Sequence, residues 1–412
     1  MEKFMMFILI MVAILLGILI GFGTGLAPGI HPNTVFALAL SMTSLMAGFP
    51  AQAIVAFIVS LSISNVFFDF IPSIIFGAPE EDTVLSVLPG HKMLLEGRGY
   101  EAIFLAAMGG LGVIFLTVLS MPALMYFLPV VYAAIRPVIH VILIVAISWM
   151  VYREKRRIAA LSVFLLAGVF GFVSLNSFPS DFALFPALTG LFGFSTLLTS
   201  LMSKTTIPPQ KTNEEVHADW LKGSLTGWIA GLFSGLLPGL GSSQTGVLAA
   251  QILKAKAKEF LVAIGGISAS NIFFTFIVFY VLGKTRSGAV SAISQITERF
   301  TMIDVYIVIA VGVFVALLSA LMTVKTGKFM LKRMKNVSYS RISFSILLVL
   351  VVMVFLISGP AGAIISVAGT FLGLLAISLG IKRTHLMGFL VLPTILFFSG
   401  LDPLALGLFW PG

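Results

Sequence analysis

Three polar side chains in otherwise apolar stretches are the residues of this chain most able to do chemistry. Asp69 follows Asn65 by four residues in SISNVFFDF, so the two side chains lie on one face of a helix. A carboxylate at membrane depth is costly and usually functional, which makes Asp69 a candidate for coordinating Na⁺ or carrying a coupled proton. Near a membrane surface the same carboxylate would simply be solvated. Asn271 stands in the related stretch SASNIFFTF, in which Thr275 takes the place of Asp69.

Two Gly/Pro-rich motifs interrupt apolar stretches that are each long enough to cross a bilayer: GFGTGLAPGIHPN at 21–33 and GLFSGLLPGLGSS at 231–243. Helix breaks at membrane depth leave backbone N–H and C=O groups whose partners must come from protein, water or a ligand. The N-terminus of a half-helix offers free N–H groups and a positive dipole end to an anion. We therefore predict a substrate site between the two breaks. Its predicted residues are Pro28, Gly29, His31, Asn33 and Thr34 at the first break, Pro238, Gly239, Gly241, Ser242, Ser243 and Gln244 at the second, and Ser64, Asn65, Ser270 and Asn271 on the polar helices.

Each of these features also has a purely structural interpretation. Gly21 and Gly25 have the spacing of small residues that let membrane helices pack closely. Asn65 and Asn271 can serve as hydrogen-bonding links between helices instead of lining a binding site. His31 could bind an anion when protonated or respond to pH, and a histidine satisfied within its own loop is the alternative.

The composition places the whole chain in a membrane. Of its 412 residues, 59% are hydrophobic and 10% are charged, and the mean hydropathy is +1.11. Soluble domains carry about 25% charged residues. Apolar runs long enough for one helical span recur from end to end, about ten to twelve in number at roughly 20 residues each. A shorter apolar piece follows each Gly/Pro motif, at 34–48 and at 244–253. The predicted spans include 4–22, 51–77, 102–120, 123–152 with an interruption near Arg136 and Pro137, 259–283, 342–358 and 361–380. We therefore predict an all-α, multi-pass protein of the plasma membrane, surrounded by membrane lipids, with discontinuous or re-entrant helices.

The charged residues and the missing motifs exclude several classes of protein. The net charge of +9 comes from Lys and Arg in short loops, which indicates orientation in a membrane and not binding of nucleic acid. The basic clusters at 153–157 and 325–335 predict cytoplasmic loops that also contact anionic lipids. The absence of cysteine excludes thiol catalysis and disulfides. No metalloprotease, Walker A or nucleophile-elbow motif occurs, so we expect no enzyme and no cofactor other than a coupling ion.

The two halves of the chain carry the same motifs in the same order. Gly21, Gly25, Pro28 and Gly29 recur at 231, 235, 238 and 239, and the S-x-S-N-x-F-F motif that begins at Ser62 recurs from 268 at nearly the same offset. We predict two internal repeats, at 1–201 and 223–412, joined by the polar linker 202–222.

The charges of the loops indicate how the two repeats are oriented relative to each other across the membrane. Lysines at 254–258 follow the second break, whereas the equivalent loop at 48–52 has no charge, and this contrast favours inverted repeats. Inversion is the arrangement that permits alternating access. The even number of spans that we count between the halves would instead make the repeats parallel. We interpret them as inverted, which requires one segment, 123–152 or 182–201, to be counted differently.

The motifs together resemble a known family. The breaks PGIHPNT and PGLGSSQ, the S-x-S-N-x-F-F helices and the stretch GAPEEDTVLSVLPGHKMLLEGRGYEA resemble the large membrane subunit of tripartite tricarboxylate transporters, with the likeness concentrated in 21–102 and 231–283. The resemblance implies a secondary transporter of carboxylates that an ion gradient drives. It also implies two partners, a small membrane subunit and an external binding protein.

We therefore expect a transporter that binds a small organic anion, di- or tricarboxylate-like, at the membrane midplane and moves it with Na⁺ or H⁺. A polyprenyl-phosphate (lipid-phosphate) translocase is one alternative, because such carriers have a similar Pro-Gly break, and a groove open to lipid would favour it. An intramembrane enzyme that uses Asp69 with His31 is a second alternative. A scaffold that transports nothing is a third, and it predicts that side chains fill the space between the breaks.

Overall fold

The computed structural model describes residues 2–27, 49–76, 87–202, 208–212, 216–236, 242, 245–246, 249, 256–285, 287–297, 299–333 and 339–409. Nearly all of these residues are helical, and no strand occurs among them. Eight helical stretches in the described ranges are long and apolar enough to cross a membrane. The prediction of an all-α, multi-pass membrane protein is thereby confirmed. The predicted pieces at 34–48 and 244–253 lie wholly or largely outside the described residues, and the repeats and re-entrant helices stay predictions.

Most helices of the first half end within two residues of a Gly, Pro or charged residue. They are α1 (Glu2–Leu26), α2 (Ala51–Phe76), α3 (Val87–Leu95), α4 (Gly99–Ile135), α5 (Ile139–Tyr152), α6 (Arg157–Ser177), α7 (Ser180–Leu188) and α8 (Ser195–Met202). A 3₁₀ turn at Arg136–Val138 joins α4 to α5, as the interruption predicted at Arg136 and Pro137 requires. A six-residue π-helix, Thr189–Phe194, joins α7 to α8.

The second half begins with a helix that leads into the second Gly/Pro motif. Its helices are α9 (Trp220–Leu236), α10 (Ala257–Leu282), α11 (Gly288–Ile296), α12 (Met302–Arg333), α13 (Tyr339–Ser378), α14 (Gly388–Ser399) and α15 (Asp402–Phe409). A kink divides α13 at Gly359, whose φ of 60° is a left-handed conformation that favours glycine. This kink separates the two spans predicted at 342–358 and 361–380.

Three predictions of where helices end are wrong. The basic stretch 325–335 was predicted to be a loop, but α12 continues through it as far as Arg333. The spans predicted at 102–120 and 123–152 are not separated at Pro122, because α4 continues through Pro122 and Pro129 to Ile135. Membrane helices tolerate proline where neighbouring groups satisfy the freed backbone. The first helix was expected to end at residue 22, but α1 continues to Leu26.

The centre of the molecule is formed by α2 and α10, the helices that carry the S-x-S-N-x-F-F motifs. The most apolar windows of α2 and α10 are 94% and 89% buried. Small residues let the neighbouring helices approach these two closely. A Cβ atom added at Gly109 of α4 would lie 2.6 Å from the Cα atom of Val262 in α10. The polar motifs therefore lie in the packed interior and not on a lipid-facing surface.

The polar linker is docked onto the turn between α3 and α4. The Gln210 amide nitrogen donates to the Leu94 carbonyl (2.9 Å), and its Oε1 atom accepts from the Gly99 N–H (2.9 Å). The Lys211 N–H donates to the Gly97 carbonyl across 2.8 Å. These bonds fix residues 208–212 of the linker to the first half of the chain.

Candidate functional site

The helix α1, which precedes the predicted first break, packs closely against α2. A Cβ atom added at Gly21 would come within 2.7 Å of the Leu61 carbonyl oxygen and of the Ser64 Cβ atom. One added at Gly25 would come within 2.6 Å of the Asn65 carbonyl oxygen. No other residue permits backbones this close. Gly21 and Gly25 therefore let two helices pack closely, as the structural interpretation of these glycines predicts. They hold α1 on the polar face of α2.

Asn65 is hydrogen-bonded across this contact. Its side chain is buried, and its Nδ2 atom donates to the Thr24 Oγ1 atom across 3.1 Å. The Ser64 hydroxyl donates to the Ile18 carbonyl of α1 across 3.0 Å. Both predicted site residues of α2 therefore face α1 just before the first break. Pro28, Gly29, His31, Asn33 and Thr34, which were predicted at that break, lie outside the described residues.

Asp69 lies one turn further along α2 and is only 3% exposed, so the alternative of a solvated carboxylate is wrong. Phe68 beside it packs edge-on against Phe22 of α1, with ring centroids 4.6 Å apart. Pro72 has no N–H, so the carbonyl of Phe68 loses its helical hydrogen bond. The residue directly before the buried Asp69 therefore has a carbonyl group that the regular helical hydrogen bonds do not use. Oxygen atoms of this kind are the ligands that hard cations prefer.

The second half repeats the glycine contacts of the first. Gly231 of α9 faces the Ser270 hydroxyl, as Gly21 faces Ser64. Gly235 faces Phe274, whose counterpart Phe68 lies against Gly25. The Ser270 hydroxyl donates to the carbonyl of Ile267 within α10 across 3.3 Å.

Asn271 differs from Asn65 in its bonding. Its Oδ1 atom is buried and has no hydrogen-bond partner among the described residues. Thr275, which stands where the first half has Asp69, is bonded locally. It donates to the Ile272 carbonyl (2.8 Å) and accepts from the hydroxyl of Ser287, the N-cap of α11 (3.4 Å). The amide of Asn271 is thus the less restrained of the two.

Ser242 belongs to the predicted second break and is fully buried. Its hydroxyl has no partner among the described residues, and its carbonyl accepts from the Thr245 hydroxyl across 3.2 Å. A Cβ atom added at Gly246 would lie 2.5 Å from the Ile264 side chain, so Gly246 packs against α10. The other predicted residues of this break, Pro238, Gly239, Gly241, Ser243 and Gln244, lie outside the described residues.

Glycines of α4 and α12 hold α2 and α10 side by side. A Cβ atom added at Gly110 would lie 2.9 Å from the Phe67 ring of α2 and 3.4 Å from the Gly265 carbonyl of α10. One added at Gly312 would lie 2.6 Å from the Phe273 ring of α10 and 3.1 Å from the side chain of Ile63 in α2. The two polar helices therefore share both neighbours, although no hydrogen bond in the described part of the chain joins Asn65 to Asn271.

An open cavity of about 610 Å³ lies at the beginning of α10. Side chains of both charges line it, among them Lys92, Glu96 and Lys256. Beside it, the Lys258 ammonium pairs with the Glu101 carboxylate of α4 across 2.6 Å, which ties the two halves together. Charged side chains thus line an open cavity at the beginning of α10.

Sequence reasoning missed Thr24, the hydrogen-bond partner of Asn65. A signal was present: Thr24 and Ser234 occupy the same position in the two G-x-x-x-G motifs, and each supplies a hydroxyl. Because the hydroxyl of Thr24 also donates to the Ile20 carbonyl at 2.9 Å, it is oriented to accept from Asn65.

Comparison with known proteins adds to this geometry. The model of a family described as "Tripartite tricarboxylate transporter TctA family" matches residues 11–388. A protein of Methanocaldococcus jannaschii with the name "Uncharacterized protein MJ1079" is 31% identical over 381 residues, which cover 89% of this chain and 94% of that protein. No solved structure matches the chain. The similarity thus extends over both Gly/Pro motifs and both polar helices.

Proposed function

Because the chain belongs to the tripartite tricarboxylate transporter TctA family, we propose that it is a secondary transporter of a small organic anion of the di- or tricarboxylate class. The family membership confirms the resemblance drawn from the sequence motifs. Family members are transporters, which agrees with the expectation that the chain is not an enzyme. We further propose that the anion binds between the two Pro-Gly breaks.

One observation carries the choice of site: two buried polar groups beside the second break have no partner among the described residues. These are the hydroxyl of Ser242 and the Oδ1 atom of Asn271. A buried polar group without a partner is costly, so a bound ligand that supplies partners would be favoured. The hydroxyl of Ser242 and the amide N–H groups of Asn271 can donate to a carboxylate, while Oδ1 of Asn271 is free for a cation or water.

In this proposal the coupling ion binds in the first half of the chain. Asp69 supplies the charge, and the carbonyl of Phe68, freed by Pro72, supplies a second oxygen. Na⁺ at this carboxylate, or a proton on it, would neutralise a buried charge close to the contact between α1 and α2. An ion bound there would stabilise the helix pair that leads into the first break.

The proposal includes the partners of the family. TctA proteins work with a small membrane subunit and an external binding protein, and we extend this arrangement to the present chain. The binding protein would deliver the anion to the outer opening of the site. Uptake into vesicles should therefore rise when a cognate binding protein is added outside.

The test uses purified protein in proteoliposomes and labelled citrate and succinate. We expect uptake of at least one of the two acids that depends on an imposed Na⁺ or H⁺ gradient. Asn65→Ala and Asn271→Ala should each reduce uptake at least tenfold, the loss expected when about 1.4 kcal/mol of binding is removed. Asp69→Asn should abolish the dependence on the ion gradient.

Two control variants separate the site from general damage. Asn176→Ala removes an asparagine of α6 whose amide donates to the Phe172 carbonyl at 2.8 Å, away from the predicted site. Ser62→Ala removes a hydroxyl that donates to the Ile58 carbonyl of its own helix across 2.8 Å. Both should retain uptake. Full uptake in Asn65→Ala and Asn271→Ala would refute the site, and Asp69→Asn with unchanged ion dependence would refute the coupling role.

A further inference from the structure

The turn between α5 and α6 forms an open cleft of about 940 Å³ that is lined by residues 152–159. The turn carries the basic side chains Arg153, Lys155, Arg156 and Arg157. Its single acid, Glu154, is largely buried and pairs with the Lys382 ammonium at 3.0 Å. The charge of the open part of the turn is therefore positive.

The arginines of this turn are held in place by aromatic rings and carbonyl groups. The Arg153 guanidinium lies 4.9 Å from the centroid of Trp149, and the Arg157 guanidinium lies 4.4 Å from that of Tyr152. The Nε atom of Arg157 also donates to the Tyr152 carbonyl across 3.0 Å. Side chains restrained in this way lose less conformational freedom when they bind an anion.

The surroundings of the cleft are those of a membrane interface. Trp149 and Tyr152 are 49% and 62% exposed, and aromatic residues of this kind mark the headgroup level of a bilayer. Ile158, in the first turn of α6, is 84% exposed beside the basic residues. Further along the two spans, Val145 of α5 and Leu161 of α6 also present apolar surface. An apolar surface therefore continues directly from the cationic turn.

We propose that this turn binds an anionic phospholipid of the surrounding bilayer. Arg153, Lys155 and Arg157 contact the phosphodiester, and the acyl chains lie along the exposed apolar side chains of α5 and α6. Arginine suits this role because its planar guanidinium binds phosphate oxygens in pairs. This inference concerns a site away from the substrate site and does not depend on transport.

The bound lipid would also steady the turn against the second half of the chain. The Nη1 atom of Arg156 donates to the Leu379 carbonyl at the end of α13, across 2.9 Å. The bridge from Glu154 to Lys382 joins the same two segments. Arg156 and Glu154 are therefore used for internal contacts, which leaves Arg153, Lys155 and Arg157 for the lipid.

The experiment measures quenching of tryptophan fluorescence in vesicles that contain either brominated phosphatidylglycerol or brominated phosphatidylcholine. The signal of Trp149 is obtained as the difference between the wild type and Trp149→Phe. We expect Trp149 to be quenched preferentially by phosphatidylglycerol. Arg153→Ala with Arg157→Ala should reduce that preference at least about fivefold, the loss expected for one basic residue at an anionic surface.

The matched control removes two exposed arginines elsewhere, Arg299→Ala with Arg341→Ala, and should retain the preference. An unchanged preference in the Arg153/Arg157 pair, or an equal loss in the control pair, would overturn the proposal. Loss of the preference on adding millimolar glycerol phosphate would assign the turn to a soluble phosphate and also overturn it. If the alanine pair does not fold, Lys155→Glu decides the question, because Lys155 is exposed and its reversed charge should repel the same lipid.

Discussion

The amide of Asn65 donates a hydrogen bond to the hydroxyl of Thr24 across 3.1 Å and thereby joins the middle of α2 to the last turn of α1. In the second half the corresponding positions are Ser234 and Asn271, and the Oδ1 atom of Asn271 has no partner in the described part of the chain. One amide is held by its neighbour, and the other presents a free acceptor. The two halves of the chain therefore differ in the hydrogen-bonding groups that these equivalent asparagines offer.

The bond between Thr24 and Asn65 should contribute measurably to stability. Thr24→Val keeps the shape of the side chain but removes the acceptor, and a buried hydrogen bond between membrane helices contributes about 0.6–1.7 kcal/mol. We expect Thr24→Val to lower the free energy of unfolding by about this amount in detergent. Thr24→Ser keeps the hydroxyl and should cost less. A double-mutant cycle with Asn65→Ala that shows no coupling energy would contradict this assignment.

The contact of Gly21 with α2 should tolerate no side chain. A Cβ atom there would lie 2.7 Å from the Leu61 carbonyl, so Gly21→Ala must separate the two helices, at a cost of about 1–3 kcal/mol. Gly23, two residues on, is exposed and has no atom within 4 Å of an added Cβ. Gly23→Ala should therefore leave the thermal unfolding midpoint unchanged or raise it slightly. Equal midpoints for the two variants would show that the close contact is absent.

The sequence was sufficient to predict the helices that position the site. The span predicted at 259–283 is α10, and the span at 51–77 is α2, because both are long apolar runs that Pro, Gly or charge delimit. Polar residues inside such runs must be paired, which is why Asn65 could be singled out. Its partner was missed because hydropathy places Thr24 on a helix but does not show which face meets α2.

Contacts between distant segments could not be predicted from local patterns. Proline normally ends a helix, but α4 continues through Pro122, because an apolar run of this length favours a membrane-spanning helix and such helices tolerate proline. Arg383 bonds to residues near 192, almost half the chain away, and nothing in its own neighbourhood signals this. The predicted residues of the Pro-Gly breaks other than Ser242 lie outside the described part of the chain, so the proposed site stays a prediction there.

Stability should depend on pH through His91 of α3. His91 is buried, its Nδ1 atom lies 3.0 Å from the Ile74 carbonyl of α2, and burial lowers its pKa below the ordinary 6.5, although the bond to Ile74 opposes the shift. The unfolded chain then binds a proton more readily than the folded chain. The free energy of unfolding therefore has its full value, as far as His91 is concerned, above pH 6.5. It decreases as the pH falls below 6.5, by at most about 1.4 kcal/mol per pH unit.

The measurement is the thermal unfolding midpoint between pH 7.5 and pH 5.0. His91→Gln should lose less stability over this range than the wild type, because it removes the titrating group. His217 is exposed, so His217→Gln should retain the wild-type slope. A slope for His91→Gln equal to that of the wild type would rule out His91 as the source.

Arg383 should hold the π-helix between α7 and α8 in place. It lies in the turn before α14 and is 9% exposed, and its Nη2 atom donates to the carbonyls of Leu191 (3.0 Å) and Phe192 (2.7 Å). The same nitrogen donates to the Ser195 hydroxyl across 2.7 Å. A π-helix departs from the regular α-helical ladder and frequently marks a functional site, so a donor that binds its carbonyls stabilises this conformation.

Arg383→Gln removes the charge and most of these donors, and we expect a loss of about 1–3 kcal/mol in the free energy of unfolding, the cost of leaving buried acceptors without a donor. Arg383→Lys keeps the positive charge but lacks the planar guanidinium group and its several N–H donors. Its free energy of unfolding should therefore lie between those of the wild type and Arg383→Gln. Hydrogen exchange of residues 189–196 should rise selectively in Arg383→Gln, because their carbonyls lose the guanidinium. Arg341→Gln, at an exposed position, should change neither quantity beyond about 0.5 kcal/mol. Unchanged exchange in Arg383→Gln would mean that the π-helix is held by its own packing against α13.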